Sequence, residues 1–83
     1  MKHYNGIEEV YDELKRGGEI EFLYKNKGYS ITHVNGKVCF GEYNNYDTVI
    51  FYDNYMDVAD YLISGKRFED ILCDIEVVFS CFD

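Results

Sequence analysis

Asn35-Gly36, set between two runs of alternating residues, leaves this chain little local freedom. An Asn-Gly pair suits the two central positions of a type I′ turn, both of which need positive φ, and that turn matches the twist of paired antiparallel strands. Before it, Tyr29, Ile31 and His33 alternate with Ser30, Thr32 and Val34; after it, residues 37–43 supply the partner strand. Residues 19–25 alternate in the same manner, with Ile20, Phe22 and Tyr24 on one face. Asn26-Lys27-Gly28 reads as the turn that joins them to the next strand, Gly28 supplying the positive φ. Thr48 to Tyr52 follows as a fourth strand after a loop of Asn44, Asn45, Tyr46 and Asp47.

Helical spacing brackets this meander. Ile7, Val10, Tyr11 and Leu14 fall at i, i+3, i+4 and i+7, one apolar stripe. Asn5 is placed to cap that helix, Glu8 to reach back to the cap, and Gly17-Gly18 to stop it. Asp53 or Asn54 caps a second expected helix that runs to Ser64, with Val58 and Leu62 inward and Gly65 ending it. Phe68, Ile71, Leu72 and Ile75 repeat the stripe in a short third helix. Residues 76–82 are rich in Val and Phe and read as an edge strand or an apolar strip across the core. The expected fold class is α+β: a three- to four-stranded antiparallel sheet with helices packed on one face, in the order α-β-β-β-(β)-α-α.

Eighty-three residues make one small domain, residues 1–83. Leu, Ile, Val and Phe are about 29% of the chain, above the roughly 20% that marks disorder. Cys39, Cys73 and Cys81 are odd in number and lack paired spacing, so they read as free thiols in a reducing compartment. The first residues lack the apolar run of a signal peptide, and no segment is long enough to span a membrane; the expected location is the cytoplasm of a bacterial host cell.

Charge is distributed one-sidedly. Residues 1–41 carry six basic and six acidic side chains, which cancel; residues 42–83 carry ten acids against Lys66 and Arg67, which leaves minus eight. Between Val38 and Gly65 there is no lysine or arginine. Such a field repels nucleic acid and anionic membrane and attracts basic protein surfaces.

The segments Gly18-Glu-Ile-Glu-Phe-Leu-Tyr-Lys-Asn-Lys-Gly-Tyr-Ser-Ile31 and Gly65-Lys-Arg-Phe-Glu-Asp-Ile-Leu72 resemble short uncharacterised proteins of low-GC Gram-positive bacteria and their phages. The shared features are turn glycines and core stripes, so the resemblance implies fold and origin, and no activity. In size, acidity and element order the chain is also similar to small phage anti-CRISPR proteins that block RNA-guided nucleases. That likeness is architectural and carries over no functional residue.

No catalytic, cofactor-binding or metal-binding residue is expected. His3 and His33 stand in no Ser/His/Asp or Cys/His motif, although His33 and Cys39 flank the Asn35-Gly36 turn. A half-buried histidine satisfied by a backbone group is the plainer expectation. Gly17-Gly18 lacks the rest of a phosphate loop. Asp53, Asp57 and Asp60 lack the spacing of a calcium loop and would share one helical face instead. The chain is thus expected to be a non-enzyme. Its candidate partner-binding residues are Glu42, Tyr43, Asn44, Asn45, Tyr46, Asp47, Asp53, Tyr55, Asp57, Asp60, Glu69, Asp70 and Asp74. The carboxylates would stand in for phosphates on a basic nucleic-acid-handling protein, such as a nuclease or CRISPR effector, and the tyrosines would be rigid anchors. The competing reading is a regulatory or structural module, in homodimeric form, whose acids are a solvated face.

Overall fold

The computed structural model describes residues 3–81; Met1, Lys2, Phe82 of the expected closing segment, and the side chain of Cys81 lie outside the described residues. The order is α1 (Ile7–Lys15), β1 (Glu19–Tyr24), β2 (Lys27–Val34), β3 (Lys37–Glu42), β4 (Asn45–Tyr52), a 3₁₀ helix (Tyr55–Asp60), β5 (Leu62–Ile63), β6 (Lys66–Arg67), a second 3₁₀ turn (Phe68–Asp70) and β7 (Glu76–Cys81). Five strands form one antiparallel sheet in the spatial order β4-β3-β2-β1-β7, and β5 and β6 form a separate small hairpin. The α+β class holds, with more strand and less helix than the sequence suggested.

The Asn35-Gly36 turn forms as expected, both residues at positive φ and Val34 opposite Lys37. The preceding hairpin turns one residue earlier than expected. Lys25 and Asn26 take positive φ, and Tyr24 pairs with Lys27. Gly28 is not the turn residue; it lies within β2, where the Tyr43 ring occupies the space a Cβ would need. The helix stop is as expected: Gly17 N–H donates to Leu14 O at 3.0 Å and Gly18 N–H to Glu13 O at 2.9 Å, with Gly17 at φ 85°. This paired pattern satisfies two of the carbonyls left orphaned at the end of α1. At its start the cap differs. Gly6 holds the N-cap position without a side-chain cap, and Glu9, rather than Glu8, reaches back to accept from Asn5 N–H at 2.6 Å.

The second and third expected helices are corrected. Asn54 does cap its segment, accepting from Met56 N–H at 2.9 Å, but the helix is 3₁₀ and ends at Asp60. Tyr61 turns into extended backbone because its ring stacks on Phe40 at 3.9 Å and its hydroxyl donates to Thr48 O at 2.6 Å. Ser64 and Gly65, both at positive φ, then turn β5 onto β6. In the third segment Phe68, Ile71, Leu72 and Ile75 are all buried, as the stripe implied, although only residues Phe68–Asp70 are helical. Segments this short gain too little from helical hydrogen bonding to hold an α-helix against tertiary packing. The closing segment does become a strand, β7, paired with β1 around a bulge near Glu21 and Phe22.

One hydrophobic cluster joins Ile20, Phe22, Tyr24, Tyr29, Ile31, Val38 and Phe40 of the sheet to Val10 and Leu14 of α1 and to Val58, Phe68, Ile71 and Ile75. Phe22, Phe40 and Phe68 form its aromatic centre, with ring centroids 4.9–6.0 Å apart. All the helical segments therefore sit on one face of the sheet. Strand alternation turns Leu23, Thr32, Cys39, Val49, Phe51 and Phe79 to the other face, which no described helix covers.

Candidate protein-binding surface

The candidate residues fall into two groups at opposite ends of β4. The first is the β3–β4 hairpin. Tyr43 and Asn44 form its turn, Asn44 at φ 58°, and Glu42 pairs with Asn45. Beyond Asn45 the register slips, so Tyr46 to Val49 bulge away from β3. Thr48 stabilises the bulge: its hydroxyl donates to Asn45 O at 2.7 Å and accepts from Glu42 N–H at 2.9 Å. Asn45 accepts from Asp47 N–H at 3.3 Å, so its amide serves the loop. Tyr43 likewise faces inward along the sheet, lying over Gly28 and donating to Glu21 at 2.7 Å. Burial, then the Glu21 hydrogen bond, pushes its hydroxyl up to about 12. Tyr46, 92% exposed, projects outward from this end with the exposed Asn44 and Asp47.

The second group surrounds the 3₁₀ helix. Along β4, eight residues long, Asp47 and Asp53 are set roughly 20 Å apart, while Glu42 of the first group and Asp60 of the second line one groove. Asp53 lies outside the helix and pairs with Lys37 at 3.3 Å. Asp57 and Asp60, three residues apart, share one face of it, because i and i+3 eclipse in a 3₁₀ turn. Asp60 pairs with Arg67 at 3.4 Å, and Arg67 also holds Glu69. Asp57, Asp70 and Asp74 make no ion pair among the described residues, and Asp70 and Asp74 are fully at the surface. Tyr55 is half-buried against Tyr11, edge to face at 5.9 Å.

Sequence order hid one member of this end. Glu8 of α1 joins Asp57 and Asp60 around Tyr11: burial first, then these three carboxylates, raise the Tyr11 hydroxyl. Tyr11 in turn donates to Met56 O at 3.0 Å, tying α1 to the 3₁₀ helix. The result is an aromatic and methionine surface (Tyr11, Tyr55, Met56) with carboxylates beside it. Glu8 sits in the half of the sequence whose charges cancel, so only the packing of α1 reveals it.

Two grooves accompany these groups. One, about 490 Å³, lies on the uncovered sheet face by the hairpin and is lined by Ser30, Cys39, Gly41, Tyr43, Tyr46 and Val49. The other, about 420 Å³, runs beside β4 on the core side; Tyr29, Ile50, Tyr61 and Leu62 line it, with Glu42 and Asp60 at its walls and Lys27 at one end.

His33 Nε2–H donates to Gly18 O at 3.0 Å, the backbone-satisfied, half-buried role expected of it. Because the carbonyl can only accept, Nε2 carries the proton. Register sets Cys39 opposite Thr32 and His33 opposite Val38, so His33 and Cys39 point to opposite faces of the sheet. Cys39 and Cys73 are free thiols. Among the described residues no group of three His, Cys, Asp or Glu side chains is arranged to hold a metal ion, and no helix is long and apolar enough to cross a membrane. No family model matches the chain, and no curated protein or solved structure is similar to it.

Proposed function

We propose that this is a small acidic, non-enzymatic binding protein that docks on the basic nucleic-acid-binding surface of a partner protein, a nuclease or other defence effector, and occludes it. The supporting observation is the convergence of Glu8, Asp57 and Asp60 beside Tyr11, Tyr55 and Met56. Carboxylates held by packed elements can take the place of phosphates against Arg and Lys, and aromatic area beside them supplies contact that salt does not screen. The 3₁₀-helix end is the better half of the candidate surface. At the hairpin end Tyr43, Asn45 and Thr48 are held by internal hydrogen bonds, whereas Asp57 makes no ion pair among the described residues. The resemblance to short proteins of Gram-positive bacteria and their phages agrees with a role in an encounter between phage and host.

The test is affinity capture from a Gram-positive lysate that expresses phage-defence nucleases, with a Glu8→Lys/Asp57→Lys variant as control. Neither residue is in an ion pair among the described residues, so the control removes no salt bridge there. A basic protein retained by the wild type, released by competing duplex DNA and lost with the variant is the expected outcome. Equal retention on both baits sinks the proposal. A homodimer is the second reading, favoured by the apolar residues on the uncovered sheet face, Phe51 and Phe79 above all. Sizing at two concentrations separates it.

A further inference from the structure

β4 ends the sheet, and among the described residues no other strand pairs with its outer edge. Edge strands of stable monomers are commonly blunted by lysine, proline or a covering segment. Residues 45–52 contain neither lysine nor proline, and apolar side chains on both sides of the strand are open: Ile50 is 46% and Phe51 54% exposed. Beside Ile50 stands Leu62, 63% exposed, across the groove of about 420 Å³. The Thr48 carbonyl is already taken, by the Tyr61 hydroxyl. The half-buried Glu42 carboxylate at the groove wall makes no hydrogen bond or ion pair among the described residues.

We infer that β4 accepts an extended, basic and apolar segment of the partner as an added strand. One apolar side chain of that segment packs between Ile50 and Leu62. An arginine or lysine beside it lays its stem on Tyr29 and Tyr61 and its charge against Glu42. Strand addition supplies main-chain hydrogen bonds, and alternate side chains supply selectivity. Charge decides between possible occupants. Asp53 and Asp60 are held by Lys37 and Arg67, so the acids left without an ion pair here, among the described residues, are Asp47 on the strand and Glu42 at the groove wall; a second copy of β4 would bring a further Asp47 and no base to Glu42. A basic strand reverses that sign. The inference rests on the basic-partner reading above and specifies how such a partner is gripped.

The experiment uses the full chain, ¹⁵N-labelled, with three capped peptides: acetyl-Thr-Val-Thr-Arg-Thr-amide, whose Val and Arg share one face of a strand, the same peptide with norleucine for arginine, and the same peptide N-methylated at alternate amides. The arginine peptide is expected to shift the amides of Glu42, Ile50, Phe51 and Leu62 and to slow hydrogen exchange along β4. Norleucine should weaken binding about tenfold, the scale of one hydrogen bond to a charged group, and Glu42→Gln in the protein should remove that preference. N-methylation should abolish binding. Equal binding of the N-methylated peptide overturns strand addition but leaves a basic partner standing. Equal binding of the norleucine peptide overturns the role given to Glu42. Neither outcome bears on Glu8 and Asp57, whose reversal tests the basic-partner reading separately. No shift at millimolar peptide, or protection of β4 that appears with protein concentration alone, also overturns the inference.

Discussion

Tyr43 shows how one side chain takes over a glycine's role. Its ring fills the space over Gly28, and its hydroxyl bonds Glu21 on the neighbouring strand, so a single residue covers part of three strands on the otherwise bare face. Gly28→Ala should therefore destabilise the protein by about 1 kcal/mol, the strain of displacing the ring exceeding the entropy gained by removing a glycine. In a Tyr43→Ala background the same change should be neutral or stabilising, and a double-mutant cycle in urea reads the reversal. The Tyr43 proton gives a second expectation. Its hydroxyl, at 10.0 when free, is held up to about 12 by burial and by Glu21. Above pH 10 the unfolded chain releases this proton while the native state keeps it, so stability should fall as pH rises from 10 through 12. The hydroxyls of Tyr11, Tyr29, Tyr52 and Tyr61 are raised in the same direction, chiefly by burial. Tyr43→Phe should flatten the fall in urea midpoint over that window without removing it.

Elements are joined by a small number of buried polar links. Glu13 of α1 is 8% exposed, and its Oε2 accepts from Tyr4 at 2.9 Å and from Ser80 of β7 at 2.6 Å. The helix, the segment before it and the last strand thus meet at one carboxylate. Glu13→Ala should cost about 1–3 kcal/mol, because it leaves hydroxyl donors without their acceptor in a site of restricted solvent access. Hydrogen exchange should show β7 loosening more than β2 and β3, which pair on both sides within the sheet. Ser80→Ala, which removes one donor and leaves the acceptor occupied by Tyr4, should cost less. A Glu13→Ala protein with uniform loss of protection across all strands would show that this link does not bind β7 in particular.

At the scale of the whole molecule, a net charge of −8 on 83 residues is a self-repelling field. Only a few of these acids are neutralised by cations: Asp12 by Arg16, Asp53 by Lys37, and Asp60 with Glu69 by Arg67. Moderate salt should therefore stabilise the monomer, raising the thermal midpoint by about 2–5 °C between low and physiological ionic strength as repulsion is screened. Association with a basic partner should respond oppositely and weaken with salt, mainly through slower encounter. The two trends, measured by calorimetry and by stopped-flow binding, separate repulsion within the molecule from attraction across an interface.

The sequence by itself determined the first helix, the three-strand meander and most of the interior, because these follow from local periodicity and from turns with a strong backbone preference; Leu62, expected inward, is 63% exposed because the chain turns extended at Tyr61. Ile20, Phe22, Ile31, Phe40, Phe68 and Ile71 all read correctly as interior. Asn35-Gly36 and Gly17 worked as punctuation because these residue types take positive φ readily. What residues 53–75 do with their backbone was decided by tertiary structure. There an apolar spacing suited to a helix was met instead by 3₁₀ turns and a short hairpin, since Tyr61 stacks on Phe40 and bonds Thr48. The distribution of acids was decided in the same way. The acids from Glu42 to Asp60 are continuous in sequence, yet β4 holds Asp47 and Asp53 apart at its two ends, Glu42 and Asp60 meet at one groove, and α1 brings Glu8 to Asp57 and Asp60. Charge order along a chain is one-dimensional, and a strand and a helix packed across it set which charges become neighbours.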